Sequence, residues 1–93
     1  MTDAPENDPG LAPVDNATKV LDYLVRQVVD EADQVSVTAG PGGRSQVQLD
    51  VRVADGEMGR VIGKRGRIAQ SIRTVTRAAA TKDGTTVDIE FVD

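Results

Sequence analysis

The sequence contains no cysteine and no histidine in its 93 residues, and these two absences exclude several kinds of chemistry. Without cysteine the chain has no disulfide, no thiol nucleophile and no thiolate ligand for structural zinc. Without histidine it lacks the commonest general base, and its serines have no evident activating partner. No spacing of carboxylates indicates a metal site. We therefore predict a binding protein that is not an enzyme and needs no cofactor.

Aromatic residues and long apolar runs are also scarce. One tyrosine, one phenylalanine and no tryptophan leave little material for the aromatic stacking surfaces of several nucleic-acid-binding folds. No apolar run approaches the roughly 20 residues that cross a bilayer. The acidic N-terminus has neither the basic start nor the apolar middle of a signal peptide. We expect a cytoplasmic protein that is not bound to membranes.

Positive charge is absent from residues 1–15, which contain four acids and three prolines. The segment also has almost no large apolar side chain, so it cannot bury enough surface to order itself. We predict a disordered acidic tail over residues 1–15 and one folded domain over residues 16–93. The domain is small, so its core depends on good local signals or on a partner.

The net charge of −4 argues against a polyanionic partner, but the distribution of charge reverses that conclusion. Because four of the 15 acids lie in the tail, the remaining chain carries eleven acids against eleven bases. Residues 58–82 hold no acid and seven bases, namely Arg60, Lys64, Arg65, Arg67, Arg73, Arg77 and Lys82. A local field of this sign favours contact with phosphate.

Hydrophobic periodicity and turn residues predict six elements in the folded part. They are a helix from residue 15 or 16 to about 30–33, strands at 35–39 and 47–53, a short helix at 58–62, a helix from 66 or 67 to 82, and a strand at 87–91. The order αββααβ defines an α+β fold with a three-stranded mixed sheet and helices on one face. The last two strands are joined through two helices, so they can pair in parallel.

Several side chains have expected structural roles within these elements. Asp15 or Asn16 is the expected cap of the first helix, and Tyr23 falls in its apolar stripe. Asp55 and Glu57 precede the short helix, where carboxylates interact favourably with the positive end of the dipole. The apolar stripe of the last long helix, expected to face the core, consists of Ile68, Ile72, Val75 and Ala79. Ala69, Ala78 and Ala80 are expected to allow close approach.

The glycine loop between the two later helices, residues 63–66, is the most informative local pattern. Its sequence is Gly63-Lys64-Arg65-Gly66. Glycines at both ends allow a sharp turn and let the backbone approach a ligand closely. The following helix directs unpaired amides and the positive end of its dipole toward the loop. We predict an anion site here. Arg73 and Arg77, further along the helix, are instead expected to form an exposed, solubilising face.

A Walker A phosphate loop is excluded. Gly59 and Gly63 have three residues between them where four are needed, and Arg65 stands where Ser or Thr would hold magnesium. A helical segment also precedes the loop, where the Walker motif follows a strand. An ATPase is therefore not expected.

The pattern over residues 55–68, followed by Ile72 and Arg73, resembles a KH domain of the second, bacterial-type topology. It is similar to the small stand-alone bacterial KH proteins of the KhpA family, over about residues 16–93. The resemblance implies that the GxxG loop clamps the backbone of about four nucleotides of single-stranded RNA. It implies RNA-binding roles for Arg60, Ile62, Gly63, Lys64, Arg65, Gly66, Arg67 and Ile68, with Arg60 and Arg67 on phosphates and the two isoleucines in the groove floor.

The same resemblance implies partners. Members of this family work as homodimers or with a second KH protein of the KhpB (Jag-like) family, and the expected role is a post-transcriptional regulator or RNA chaperone. The alternative is a protein interaction module on a KH fold without productive RNA binding. The basic pair Lys64 and Arg65 favours RNA, although single-stranded DNA would fit the same groove. The flanking strands argue against a helix that reads the major groove of DNA.

Overall fold

The computed structural model describes residues 10–92. Its elements, in chain order, are α1 (Asp15–Val28), a 3-10 turn (Ala32–Gln34), β1 (Ser36–Pro41), β2 (Val47–Arg52), α2 (Met58–Ile62), α3 (Arg67–Asp83) and β3 (Val87–Phe91). The predicted order αββααβ and the α+β class are confirmed. Within residues 10–92, no helix combines the length and the hydropathy that a membrane crossing requires.

The three strands form one mixed sheet in the order β1, β2, β3. β1 pairs antiparallel with β2, and Val37 lies opposite Val51. β2 pairs in parallel with β3, and Leu49 lies opposite Ile89. The predicted parallel pairing is therefore confirmed. Because side chains alternate across a strand, the valines, leucine and isoleucine of all three strands share one buried face.

The core lies between that face of the sheet and the helices. α1 and α3 pack against each other, and α2 contacts both. A five-residue helix such as α2 has no stability of its own, so it depends on the burial of Met58 and Val61. The largest fully buried side chains are Leu21, Leu49, Val14, Val25, Val47, Val51, Val61 and Thr76.

The buried face of α3 differs from the predicted stripe. Ile72 is buried as expected, but Val75 is 47% exposed, and Ile68 and Ala79 are only partly covered. The buried positions are Ala69, Ile72, Thr76 and Ala80. The predicted stripe was wrong at Val75, because apolarity alone does not decide burial. Ala69 and Ala80, expected to allow close approach, are buried. Tyr23 of α1, also placed in an apolar stripe, is 62% exposed.

The N-terminal boundary of the domain lies upstream of the predicted residue 16. Val14 is fully buried, and Leu11 and Ala12 pack partly against the core. The hydroxyl of Thr85 donates to the carbonyl of Pro13 at 2.6 Å. The prediction missed these contacts because the short segment has little apolar surface of its own and orders only against distant residues. Residues 1–9, the rest of the predicted disordered tail, lie outside the described residues.

The start of α1 is capped from another helix. The helix begins at Asp15, and the N-cap residue Val14 offers no side-chain bond. Instead the carboxylate of Asp83, at the end of α3, accepts bonds from the backbone N–H of Asn16 at 3.1 Å and of Ala17 at 3.0 Å. The expected cap by Asp15 or Asn16 is therefore replaced by one from a residue far along the chain.

Candidate nucleic-acid interface

The loop between α2 and α3 makes a four-residue turn with an unusual backbone. Lys64, Arg65 and Gly66 have φ of 57°, 59° and 84°, so three consecutive residues occupy the left-handed region. This conformation is uncommon for residues with a side chain and costs on the order of 1–3 kcal/mol each. Such outliers persist where the surrounding structure holds them and concentrate at functional sites. The loop is therefore a candidate site on its geometry alone.

Each glycine of the loop is required for a different reason. At Gly63 φ is negative, but a Cβ would lie 3.1 Å from the carbonyl oxygen of Gly59. At Gly66 a Cβ would meet open space, and the requirement comes from the positive φ. Gly63 therefore allows a close approach of the backbone, whereas Gly66 allows the reversal into α3.

Three cations surround this turn. The side chains of Lys64, Arg65 and Arg67 are exposed, and none of them forms a salt bridge with a carboxylate in residues 10–92. They lie at the N-terminus of α3, a helix of 17 residues whose dipole adds positive potential there. The backbone N–H of Arg67 donates to the Lys64 carbonyl at 3.1 Å, so the donors that the first turn can add are those of Ile68 and Ala69. The structure thus brings three predicted site residues together on one electropositive surface.

Arg60 is differently engaged. Its Nη2 lies 3.0 Å from Oδ2 of Asp30, and its Nε lies 3.6 Å from Oε1 of Glu57. The side chain is 57% exposed, so both ion pairs face solvent competition. The sequence placed Arg60 among the phosphate contacts, but in this structure two acids of the protein itself hold it.

The partner Glu57 is a buried residue that joins two distant segments. Its carboxylate accepts the backbone N–H of Asp30 at 2.7 Å and of Glu31 at 2.8 Å. These two bonds, with a smaller contribution from Arg60, lower the pKa of Glu57 against the opposing effect of burial. The sequence analysis predicted only an interaction of Glu57 with the helix dipole. An acid beside the apolar start of a helix was the available signal, but its partners lie 26 and 27 residues away.

Apolar side chains flank the loop on both helices. Ile62, the last residue of α2, is 48% exposed. Ile68, in the first turn of α3, is partly buried against the core, and its Cδ1 lies 3.8 Å from the position that a Cβ on Gly63 would occupy. Ile68 therefore contributes to the core as well as to the surface near the loop, while Ile62 offers apolar area to solvent.

The two arginines further along α3 belong to the edge of the sheet. Arg73 donates from Nε to the carbonyl of Ile89 at 3.4 Å, and its guanidinium lies 5.0 Å from the centroid of the Phe91 ring. Arg77 approaches Asp88 at 3.5 Å. These contacts hold both arginines against β3 and not at the glycine loop. The expectation of full exposure is wrong for Arg73, because it packs over β3.

A second surface feature lies between α1 and α3. It is an open groove of about 290 Å³ lined by Asn16, Val20, Val75, Ala78, Ala79 and Lys82. Of its lining residues on α3, Val75 is the nearest to the glycine loop along the chain, and the helix rises about 12 Å from Arg67 to Val75. The groove and the loop are therefore separate surfaces.

Comparison with known proteins agrees with this geometry. A helix, a GxxG turn and a second helix, set between parallel strands, define a KH domain. The family described as KhpA/KhpB, KH domain, matches residues 18–91. The chain belongs to this family, which is a family of RNA-binding KH proteins and not of enzymes.

Relatives named RNA-binding protein KhpA align over most of both chains. One from Clostridium acetobutylicum is 42% identical over 74 residues, which cover 80% of this chain and 97% of the relative. One from Borreliella burgdorferi is 36% identical over 78 residues, which cover 84% and 94%. One from Leifsonia xyli is 42% identical over 73 residues, which cover 78% and 92%.

A solved structure shares the fold. In the crystal structure of Era from Aquifex aeolicus, bound to GDP and AlF4⁻, the matched region has a TM-score of 0.60 and 17% sequence identity. The match covers 81% of this chain and 29% of the Era chain. At this identity the likeness concerns the fold alone.

Proposed function

We propose that the protein binds single-stranded RNA through the glycine loop. The observation that carries the proposal is the left-handed turn at Lys64 and Arg65, which sets two unpaired cations at the N-terminus of α3. A strained turn of this kind, beside helix amides, suits the backbone of an extended polyanion. The names of the relatives support RNA as that polyanion.

Each residue of the loop has a distinct part in the proposed clamp. Gly63 and Gly66 let the RNA backbone approach the protein backbone. Lys64, Arg65 and Arg67 neutralise phosphates, and the amides at the start of α3 donate to phosphate oxygens. On either side, Ile62 and Ile68 offer apolar contact to bases that lie beside the loop. Arg60 contacts phosphate only when it leaves Asp30, so its contribution is smaller.

Binding by this site alone should be weak and broad in sequence preference. The two aromatic residues lie elsewhere, because Tyr23 is on α1 and Phe91 packs under Arg73. Recognition then depends on phosphates and apolar contact. If three cations each neutralise one phosphate, log K should fall with log salt with a slope of about −2.

A weak site of this kind gains avidity when a second site is linked to it. We propose that the protein acts in the cytoplasm with a second KH protein of the KhpB (Jag-like) family, or as a homodimer, as a post-transcriptional regulator or RNA chaperone. Family membership supports this part of the proposal, since the family covers both KhpA and KhpB.

The second candidate function is a protein interaction module. The groove between α1 and α3 favours it, because Val75 in its lining is 47% exposed and offers apolar surface to a partner. The two functions use different surfaces, so a variant of the loop distinguishes them.

Binding of fluorescent single-stranded RNA by native and altered protein tests the proposal. Lys64→Asp with Arg65→Asp should abolish binding while circular dichroism shows an intact fold, because both side chains are exposed. The control is Lys19→Asp with Lys82→Asp, which makes the same change of charge on exposed positions far from the loop. Equal loss of affinity in the two double variants would show that binding depends on net charge alone and would contradict the proposal.

A further inference from the structure

Glu57 connects three parts of the structure through one buried carboxylate. Only 6% of the residue is exposed. One oxygen accepts the N–H of Asp30 and the other accepts the N–H of Glu31, at 2.7 and 2.8 Å. The same carboxylate lies 3.6 Å from Nε of Arg60, and Nη2 of Arg60 lies 3.0 Å from the Asp30 carboxylate. The segment that follows α1 is thus fastened to the start of α2.

Glu57 is also connected to the glycine loop through one short helix. It is the N-cap residue of α2, a helix of five residues whose C-cap is Gly63. Its own backbone takes part as well: its carbonyl accepts the N–H of Arg60 at 3.0 Å, and the Gly59 carbonyl accepts the N–H of Gly63 at 2.9 Å. A helix this short does not hold its own position, so its attachments decide where its far end lies.

The apolar attachments of α2 leave part of its placement undetermined. Met58 and Val61 are buried, and apolar contact is non-directional. Two short bonds to a carboxylate are directional and are stronger than bonds between neutral groups. They act at the end of α2 opposite to Gly63, so together with the buried side chains they fix both the position and the orientation of the helix.

We propose that Glu57 is a positioning residue for RNA binding, which holds the glycine loop in its binding geometry through α2. This inference rests on the proposed function of the loop, and Glu57 itself does not touch RNA. Left-handed backbone at Lys64 and Arg65 is costly, so the loop relaxes unless α2 and α3 hold its two ends. When α2 is released, only a fraction of the molecules present a competent loop, and the apparent affinity falls by that fraction.

Glu57→Gln is the sharpest test, because it keeps the shape of the side chain and removes one of its two acceptors. The side-chain NH2 would then face a backbone N–H. We expect faster hydrogen–deuterium exchange of the amides at 63–67 and RNA affinity lower by about three- to tenfold. The slope of log K against log salt should not change, because the phosphate contacts in the competent state are the same.

Two controls distinguish loss of loop positioning from a general loss of stability and from the loss of a surface charge. Asp30→Asn removes the ion pair with Arg60 but keeps the backbone N–H that Glu57 binds, so loop exchange should stay native and affinity should not fall. Thr85→Val removes the bond to Pro13 beyond the other end of α3. It should lower thermal stability while the affinity of the folded protein for RNA and the exchange of the loop stay unchanged.

The outcomes are distinguishable. Unchanged loop exchange and affinity in Glu57→Gln would overturn the inference, and so would equal losses in Thr85→Val, since they would indicate general destabilisation. If native protein binds no RNA, the proposed function fails, and the exchange of the loop amides still decides whether Glu57 holds the loop. Should Glu57→Gln not fold, Glu57→Asp, which withdraws the carboxylate by one methylene, replaces it in the same comparison.

Discussion

The carboxylate of Asp83 caps the helix that begins beside Asn16, 67 residues earlier in the chain. It accepts both the backbone N–H and the side-chain NH2 of Asn16, at 3.1 and 2.9 Å. The bond joins the end of α3 to the start of α1, so the two longest helices are tied at one end by hydrogen bonds and along their length by packing. The glycine loop lies at the opposite end of α3 and does not depend on this cap.

Asp83→Ala should therefore lower stability without affecting RNA binding. Loss of an N-terminal cap costs typically about 1 kcal/mol, and up to about 2 kcal/mol, in the free energy of unfolding. Urea denaturation measures this cost. Asp22→Ala is the control, because it removes an exposed ion pair with Arg26 at 2.9 Å and should cost at most about 0.5 kcal/mol. Equal costs in the two variants would contradict the role of Asp83 as a cap.

Thr76→Val should raise stability. Thr76 is fully buried in α3, and its hydroxyl has no hydrogen-bond partner within residues 10–92. An unsatisfied buried hydroxyl costs about 1–3 kcal/mol, and valine removes it at nearly the same shape. Thermal unfolding should show a higher midpoint, while Thr74→Val, at an exposed position whose hydroxyl bonds the Gln70 carbonyl, should change little. A lower midpoint for Thr76→Val would mean that the hydroxyl is satisfied.

The stabilising effect of Glu57 should depend on pH in a defined direction. Its pKa in the folded protein lies below the ordinary value of 4.5, because the N–H groups of Asp30 and Glu31 bind the charged form and Arg60 adds attraction. Between the folded pKa and the ordinary pKa, the folded state therefore binds fewer protons than the unfolded state. The contribution is complete above pH 4.5 and is lost as pH falls through the lower folded value.

Unfolding free energies of native protein and Glu57→Gln, measured from about pH 7 to about pH 3, test this dependence. The difference between the two should be constant at neutral pH and should shrink below the ordinary pKa of glutamate. A difference that is the same at both ends of the range would show that the carboxylate charge does not stabilise the fold.

The stability cost of replacing Gly66 should depend on how well the new residue tolerates a positive φ. Gly66→Ala places a Cβ in open space at φ 84° and should cost roughly 1–2 kcal/mol, which stability measurements would show. Gly66→Asn should cost less, because asparagine tolerates this region. At Gly63, alanine and asparagine should cost the same, since any Cβ meets the Gly59 carbonyl. Equal effects of alanine and asparagine at Gly66 would contradict the conformational explanation.

Arg67 and Arg60 should differ in their effect on RNA binding. Arg67→Ala removes an unpaired cation and should reduce the slope of log K against log salt by about 0.7. Arg60→Ala removes a cation already held by Asp30 and Glu57, so the slope should change less. Affinities measured over a salt series compare the two. A larger change for Arg60 would show that RNA displaces Asp30 and that Arg60 is a principal contact.

The sequence allowed the prediction of features that depend on neighbours along the chain. Alternation at residues 47–53 and the glycines at 63 and 66 are local signals, and the strand and the loop both follow from them. The apolar stripe of α3 was predicted poorly at one position, because Val75 is more apolar than Thr76 and yet Thr76 is the buried residue. The contacts of Glu57 and Asp83 span 26 to 67 residues, and no local pattern encodes them.

The most direct measurement is a titration of the isotope-labelled full chain with single-stranded RNA, followed through the NMR signals of its backbone amides. We predict that the largest shifts fall on residues 62–68, with little change in the groove between α1 and α3. Shifts that concentrate on Val20, Val75 and their neighbours, or no shifts at RNA concentrations that saturate binding, would contradict recognition by the glycine loop.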